Sequence, residues 1–259
     1  MRQLAERSAV EPLKLSITEI TQFGIGHARC LADLRVEQLW IWCDVTRGAM
    51  NHLLQLDGLR ELDILCMSGP GKLKSFHKAA QLEVFRANHY MTESDLLQVA
   101  QCPSIRILGA QTSQVGSAGI AALLSMPNLT DLDLESTRLD DRMARKISRS
   151  TKISSLEVGG TRLTHVGLAH LAKMTQLHSL DLWALDLNAT DLRMLLALPN
   201  LEYVSIGRRD TAPPLDAAAI TKVLLESRSV KRVWLDGVRL EYDQRAALEA
   251  KLEFLRLTS

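Results

Sequence analysis

Asp133, Glu157 and Asp181 recur at intervals of 24 residues, and Asp131 and Glu135 flank the first of them. Carboxylates held close together can share a proton and act as a general acid and base, as in glycoside hydrolysis. They can also dock the Lys and Arg of a basic partner. Trp40, Trp42, Trp183 and Trp234 are the four tryptophans, side chains that commonly anchor protein contacts. Cys43, Cys66 and His89 are 23 residues apart and are of metal-ligand type. One strand per repeat would separate Cys43 from His89 by about 9.6 Å, too far to share an ion, so no metal is expected. Cys43 and Cys66 lie close enough to bond if oxidised, with reduced thiols expected in a reducing compartment. His165 and His170 are five apart and do not share a helix face as zinc ligands would. Gly69-Pro70-Gly71-Lys72 and Gly24-Ile25-Gly26 lack the rest of a phosphate-binding loop and read as turns. No Ser/His/Asp arrangement has local motif support. Enzymatic use and a cofactor are therefore not expected.

The chain that must position these groups has 259 residues, with 31 Lys+Arg against 30 Asp+Glu. It is 46% hydrophobic, which excludes a disordered chain, and its near-neutrality argues against a general nucleic-acid binder. No apolar run approaches the ~18 residues of a membrane span, and Met1 to Glu11 has no signal-peptide core. Four cysteines are too few for a disulfide scaffold. A cytoplasmic location is the expectation, and the sequons at Asn128 and Asn188 carry no meaning without secretion.

Leucine makes up roughly 18% of the chain, about double ordinary usage, and it is periodic. The pattern apolar-x-x-apolar-x-apolar starts at Val36, Leu59, Leu82, Ile105, Leu129, Ile153, Leu177, Leu201 and Val230. Positions four and six alternate with polar residues, as a strand with one buried face requires. Val166, Leu168, Ala169, Leu171 and Ala172 then follow helical spacing, with Thr164 placed to cap the helix. Pro127-Asn128 and Pro199-Asn200 turn the chain into the next strand.

These repeats, best formed at LTDLDLESTRLDDRMARKISRSTK and ISSLEVGGTRLTHVGLAHLAKMTQ, resemble the leucine-rich repeat family in its 24-residue form. Ser113, Thr137 and Thr161 take the position where many members carry Asn. The resemblance implies an α/β solenoid: a horseshoe with a curved parallel sheet of about nine strands on the concave face and helices or 3₁₀ segments on the convex face. It implies that these hydroxyls bond turn backbone between neighbouring repeats. Residues 1–35 read as an N-terminal cap, 36–240 as the repeats and 241–259 as a C-terminal capping helix that covers the last strand with Leu248, Leu252 and Leu255. The segment Arg208 to Pro214 reads as a rim loop.

With positions four and six buried, positions three, five and seven face outward. This face carries Trp40, Trp42, Asp63, Asp131, Asp133, Glu135, Glu157, Asp181, Trp183, Tyr203, Arg232, Trp234 and Asp236. All are expected to touch a partner: the five central carboxylates pair its cations, and Trp183 and Trp234 fill apolar pockets at its edge. On the opposite side Arg142, Arg145, Lys146 and Arg149 share a helix face, with no aromatic residue among them to stack a base. The expected function is a non-enzymatic module that binds a basic protein, with no small-molecule substrate, membrane or nucleic acid. Within the family the ribonuclease inhibitor blocks a basic enzyme through an acidic, aromatic concave face. By that analogy the concrete expectation is an inhibitor or immunity protein that neutralises a basic toxin or nuclease. A bacterial source is read from the repeat style alone. The alternative is a secreted bacterial effector or adaptor that recruits a host protein. That reading needs a further domain, for which the two end segments look too short.

Overall fold

The computed structural model describes residues 11–69, 72–87, 89, 91–208 and 216–258. Residues 1–10 of the expected cap, Pro70 and Gly71 of the glycine turn, Asn88 and positions 209–214 of the expected rim loop lie outside the described residues. Two compact units divide the chain, Met1–Leu132 and Asp133–Ser259.

In the first unit, strands β1 (Leu13–Ile17), β3 (Val36–Thr46), β4 (Glu61–Ser68), β5 (Val84–Ala87) and β6 (Ile107–Gly109) lie side by side in chain order. The two-residue β2 (Gln22–Phe23) pairs with the far end of β3. In the second unit β8 (Ser155–Glu157), β9 (Ser179–Asp181), β10 (Tyr203–Gly207), β11 (Arg232–Asp236) and β12 (Phe254–Thr258) follow the same order. The unit boundary falls inside β7 (Asp131–Asp133). Every described strand pair is parallel. A parallel neighbour needs a returning segment, and the chain supplies one per repeat. In the first unit these are α1 (Ile25–Arg29), α2 (Arg47–Leu53), a 3₁₀ turn (Phe76–Lys78), α3 (Glu93–Val99) and α4 (Ser117–Ser125). In the second they are α5 (Asp141–Ile147), α6 (His165–Leu171), α7 (Ala189–Leu195), α8 (Ala217–Glu226) and α9 (Tyr242–Lys251).

The aliphatic anchors set the register. Leu39, Leu62, Phe85, Leu108, Leu132, Leu156, Leu180, Val204 and Val233, at position four, are at most 2% exposed. Their position-six partners Ile41, Ile64, Ala87, Ala110, Leu134, Val158, Leu182, Ile206 and Leu235 are fully buried. Strand pairing matches like positions, for example Leu156 with Leu180 and Val204 with Val233. The α/β solenoid is therefore present, with more strands than the expected nine. The additions lie at the two ends. Residues 241–259 do not form one helix: α9 stops at Lys251, and β12 pairs alongside β11. Leu252, Leu255 and Leu257 repeat the apolar-x-x-apolar-x-apolar pattern, and as a strand they bury one face. β12 thus sets Arg256 beside Trp234 and Thr258 beside Asp236.

Past β6, β7, β8, β9 and β11 the backbone enters the left-handed region at one recurring position: Thr112 (φ 51), Ser136 (φ 57), Gly160 (φ 63), Ala184 (φ 56) and Gly237 (φ 66). This turn keeps the repeats hydrogen-bonded after the strand ends. Ser136 N donates to Gly159 O, Gly160 N to Trp183 O and Ala184 N to Gly207 O, at 2.7–3.1 Å. Glycine alone adopts this conformation without a Cβ penalty of ~1 kcal/mol or more. Ala184→Gly is therefore expected to raise stability by about 0.5 kcal/mol, the relief exceeding the added unfolded-state entropy. An unchanged or lower urea midpoint would show that the turn carries no strain.

The expected hydroxyl ladder between repeats is corrected by the structure. Thr137 and Thr161 donate within their own turns, to Leu134 O and Val158 O at 2.7 Å, and Ser113 to Gln111 O at 3.3 Å. Other side chains cross between repeats. Asn128 and Asn200 reach Pro103 O and Thr175 O. Glu93 caps the amides of Ala118 and Gly119 at the start of α4, and Asp141 accepts from Thr164 N and Oγ1 before α6. Arg47 bridges to Asp95 at 2.8 Å, and these bonds, with those from Thr92, hold the buried Asp95 carboxyl below its usual range against the cost of burial. Thr164 caps α6 as expected, accepting from Val166 N at 3.2 Å. Val166, read as an inward apolar position, is 48% exposed; Gly167 faces inward in its place, where Asp141 leaves no room for a side chain.

Candidate functional site

Because the position-four and position-six side chains fill the interior, positions three, five and seven form an outward face on each unit. On the second unit the rows are Ser155–Ser179–Tyr203–Arg232–Phe254 and Glu157–Asp181–Ser205–Trp234–Arg256. One carboxylate oxygen from each of Asp133, Glu135 and Glu157 lies within 4.8 Å of the others, and all three residues are half-buried. Such a trio is also a donor set that could hold a hard divalent cation. Burial, with the charges of Asp133 and Asp181, raises Glu135 from 4.5 to about 7. Burial likewise raises Asp181, opposed by hydrogen bonds from Ser205 and from the amide of Trp183. Tyr203 is raised by burial and by the charges of Asp181 and Glu157.

The aspartates differ from the glutamates in what they hold. Asp133 accepts from the amide of Glu135 at 2.8 Å and Asp181 from that of Trp183 at 2.9 Å, so both brace the turn that follows their strand. Glu157, at position five of β8, lies beside Asp181 in the strand register. Asp131, in the first unit, accepts from the Thr130 hydroxyl.

Between about pH 4.5 and 7 the folded chain keeps a proton on Glu135 that the unfolded chain has released, so stability falls as pH rises through that window. Glu135→Gln removes this loss. The variant is expected to gain about 1–2 kcal/mol at about pH 8 and nothing at about pH 4, the figure reduced because the group is partly solvated. Equal melting temperatures of wild type and variant at both pH values would contradict the crowding.

The tryptophans are not equivalent. Trp42 is 50% exposed, while Trp40, Trp183 and Trp234 are half-buried. The Trp183 indole lies across Gly207, where a Cβ would collide with its ring, and donates Nε1–H to Asp236 Oδ2 at 2.9 Å. Trp234 donates to Thr258 Oγ1 at 2.8 Å, and that hydroxyl donates to the other oxygen of Asp236. These bonds hold the Asp236 carboxyl below its usual range. Trp183, Trp234, Asp236 and Thr258 thus form one bonded group on the face.

Two arginines complete this end. The Arg232 guanidinium lies 5.8 Å from the Tyr203 ring centroid, and that of Arg256 lies 4.7 Å from the Trp234 ring. Arg256 and the 49%-exposed Phe254 were missed in the sequence because the segment was read as helix. The signal was the tenth apolar repeat at Leu252, Leu255 and Leu257.

On the first unit, Gln38 Nε2 donates to Glu61 at 3.1 Å, and Arg86 lies 3.5 Å from the same carboxylate. Asp63 sits beside Trp40 and Arg86 in the register. Its pKa is raised by burial, which outweighs Arg86, and its Oδ1 is buried without a hydrogen-bond partner. One extra residue in β3, between Ile41 and Asp44, bulges that strand at Trp42 and Cys43. The bulge shifts the cysteine column: Asp44, not Cys43, pairs with Cys66 and accepts its thiol hydrogen bond. Burial and Asp44 push the Cys66 thiol to about 12. His89 Nδ1 contacts Thr112 Oγ1 at 2.9 Å. All four cysteines are free thiols. In the basic stripe, Arg142, Arg145 and Arg149 are exposed along and just beyond α5. No helix among the described residues is long and apolar enough to cross a membrane.

No protein-family model matches the sequence, and no curated protein matches it. Among solved structures, a leucine-rich repeat protein of Leptospira interrogans is similar, with a TM-score of 0.52 and 12% identity over 99% of this chain and 74% of that one. A plant peptide hormone receptor in complex with RGF2 matches with a TM-score of 0.44 and 12% identity, over 100% of this chain and 53% of that one.

Proposed function

We propose, on the premise that this chain has a leucine-rich repeat fold, that it is a non-enzymatic module whose exposed strand face binds a cationic protein. The concrete reading is an inhibitor or immunity protein that covers the substrate site of a basic toxin or nuclease in the cytoplasm. One observation carries it: Asp133, Glu135 and Glu157 crowd their oxygens within 4.8 Å on the outward face, with Asp181 acting on the same group. Carboxylates gathered this closely concentrate negative charge, and a partner's Lys or Arg placed on them gains charge-assisted bonds.

The test uses the whole chain as bait in an extract of its source organism, beside a Glu135→Lys/Glu157→Lys bait. A basic protein held by the first, released by salt and absent from the second is the expected result. Identical captures from both baits would sink the docking surface. If the captured protein is an enzyme, its activity should fall on titration with the bait; full activity at saturation removes the inhibitor reading.

A further inference from the structure

The acidic group lies on β7, β8 and β9 of this face. Past β10 arginines appear, Arg232 on β11 and Arg256 on β12. Both arginines are exposed, and each guanidinium is parked over an aromatic ring of the adjacent strand. Stacking fixes the plane of the guanidinium and leaves its N–H edge free to meet a planar anion. Neither is within ion-pair distance of a carboxylate among the described residues. The neighbouring acids are committed: Glu202 to Lys231 at 2.9 Å, and Asp236 to Trp183 and Thr258.

We infer that Arg232 and Arg256 form an anion subsite that takes an Asp or Glu side chain of the partner, on the same segment whose Lys or Arg enters the carboxylate group. This rests on the docking reading above. Charge complementarity selects the occupant, because one strand face offers both a negative and a positive subsite. A carboxylate suits the second better than a phosphate, whose second charge would be repelled by Asp181 and Asp236 nearby. The spacing is also set. Glu157 on β8 lies three strands and one two-residue step along the strand from Arg232 on β11, about 16 Å, which an extended segment spans in about five residues. The partner segment therefore carries its base and its acid four to six residues apart.

A display library of random 12-residue peptides, selected on the full chain, tests this. Enriched peptides should combine a Lys or Arg with an Asp or Glu four to six positions away. Selection on Arg232→Gln/Arg256→Gln should keep the base and lose the acid. A peptide chosen on the wild type should bind that variant about tenfold more weakly, the loss of one charge-assisted pair. Circular dichroism and the melting temperature check that the variant is folded, and Arg232→Lys/Arg256→Lys should restore part of the affinity. Enrichment of basic residues alone would overturn the anion subsite and leave the docking face standing. Binders indifferent to Glu135→Lys/Glu157→Lys, or no binders, would overturn both.

Discussion

Trp183→Ala is expected to destabilise the protein by about 2–3 kcal/mol, before any effect on binding. A fully buried Trp→Ala change costs about 3–5 kcal/mol, and the indole here is half-buried. Its removal also strips Asp236 of a donor at 2.9 Å and uncovers Gly207. Trp183→Phe keeps a ring over Gly207 and loses only the hydrogen bond, for about 1 kcal/mol. Gly207→Ala acts from the other side, because its Cβ would occupy the space of the Trp183 ring. The urea midpoints of the three variants check this. If Trp183→Ala unfolds with the wild type and only weakens a captured partner, the indole is a contact anchor, as its outward position alone implies.

Charge reversal at Glu135 and Glu157 is the second large effect. It should slow association with a cationic partner about tenfold or more and flatten the salt dependence of that rate. These two positions are preferable to Asp133 and Asp181, whose carboxylates brace the amides of Glu135 and Trp183, so that reversal there would disturb the turns as well. Because Glu135 titrates at about 7, the group loses close to one negative charge between about pH 8 and 6. Association should slow over that range in the wild type and not in Glu135→Gln. An association rate that ignores both the reversal and the pH places the partner elsewhere.

The repeat, its register and the buried aliphatic column are legible in the chain because alternation and a 23–24-residue period leave one way to hide Leu156, Leu180 and Leu182. Thr164 was readable as a cap for the same local reason. Three features were not. The strand at Phe254–Thr258 was hidden because Leu248, Leu252 and Leu255 also fit helical spacing, and the choice is made by the open edge of β11. The bulge at Trp42 and Cys43 came from unequal strand lengths, and it moved Asp44 into the place expected of Cys43. The hydroxyls of Thr137 and Thr161 found acceptors three residues back, nearer than any in the next repeat.

Composition and periodicity alone determined that this protein buries one face of successive parallel strands and turns a charged, tryptophan-bearing face outward, since both follow from side-chain alternation along a single segment. Only the tertiary structure decided what that face offers. Residues 22 or more apart became neighbours across the strands, so Trp183 met Gly207 and Asp236, Trp234 met Arg256, and Glu135 met Glu157. Contact of this kind depends on which side chains are too small to intervene and on which strand lies at the edge, and neither is a property of any one repeat.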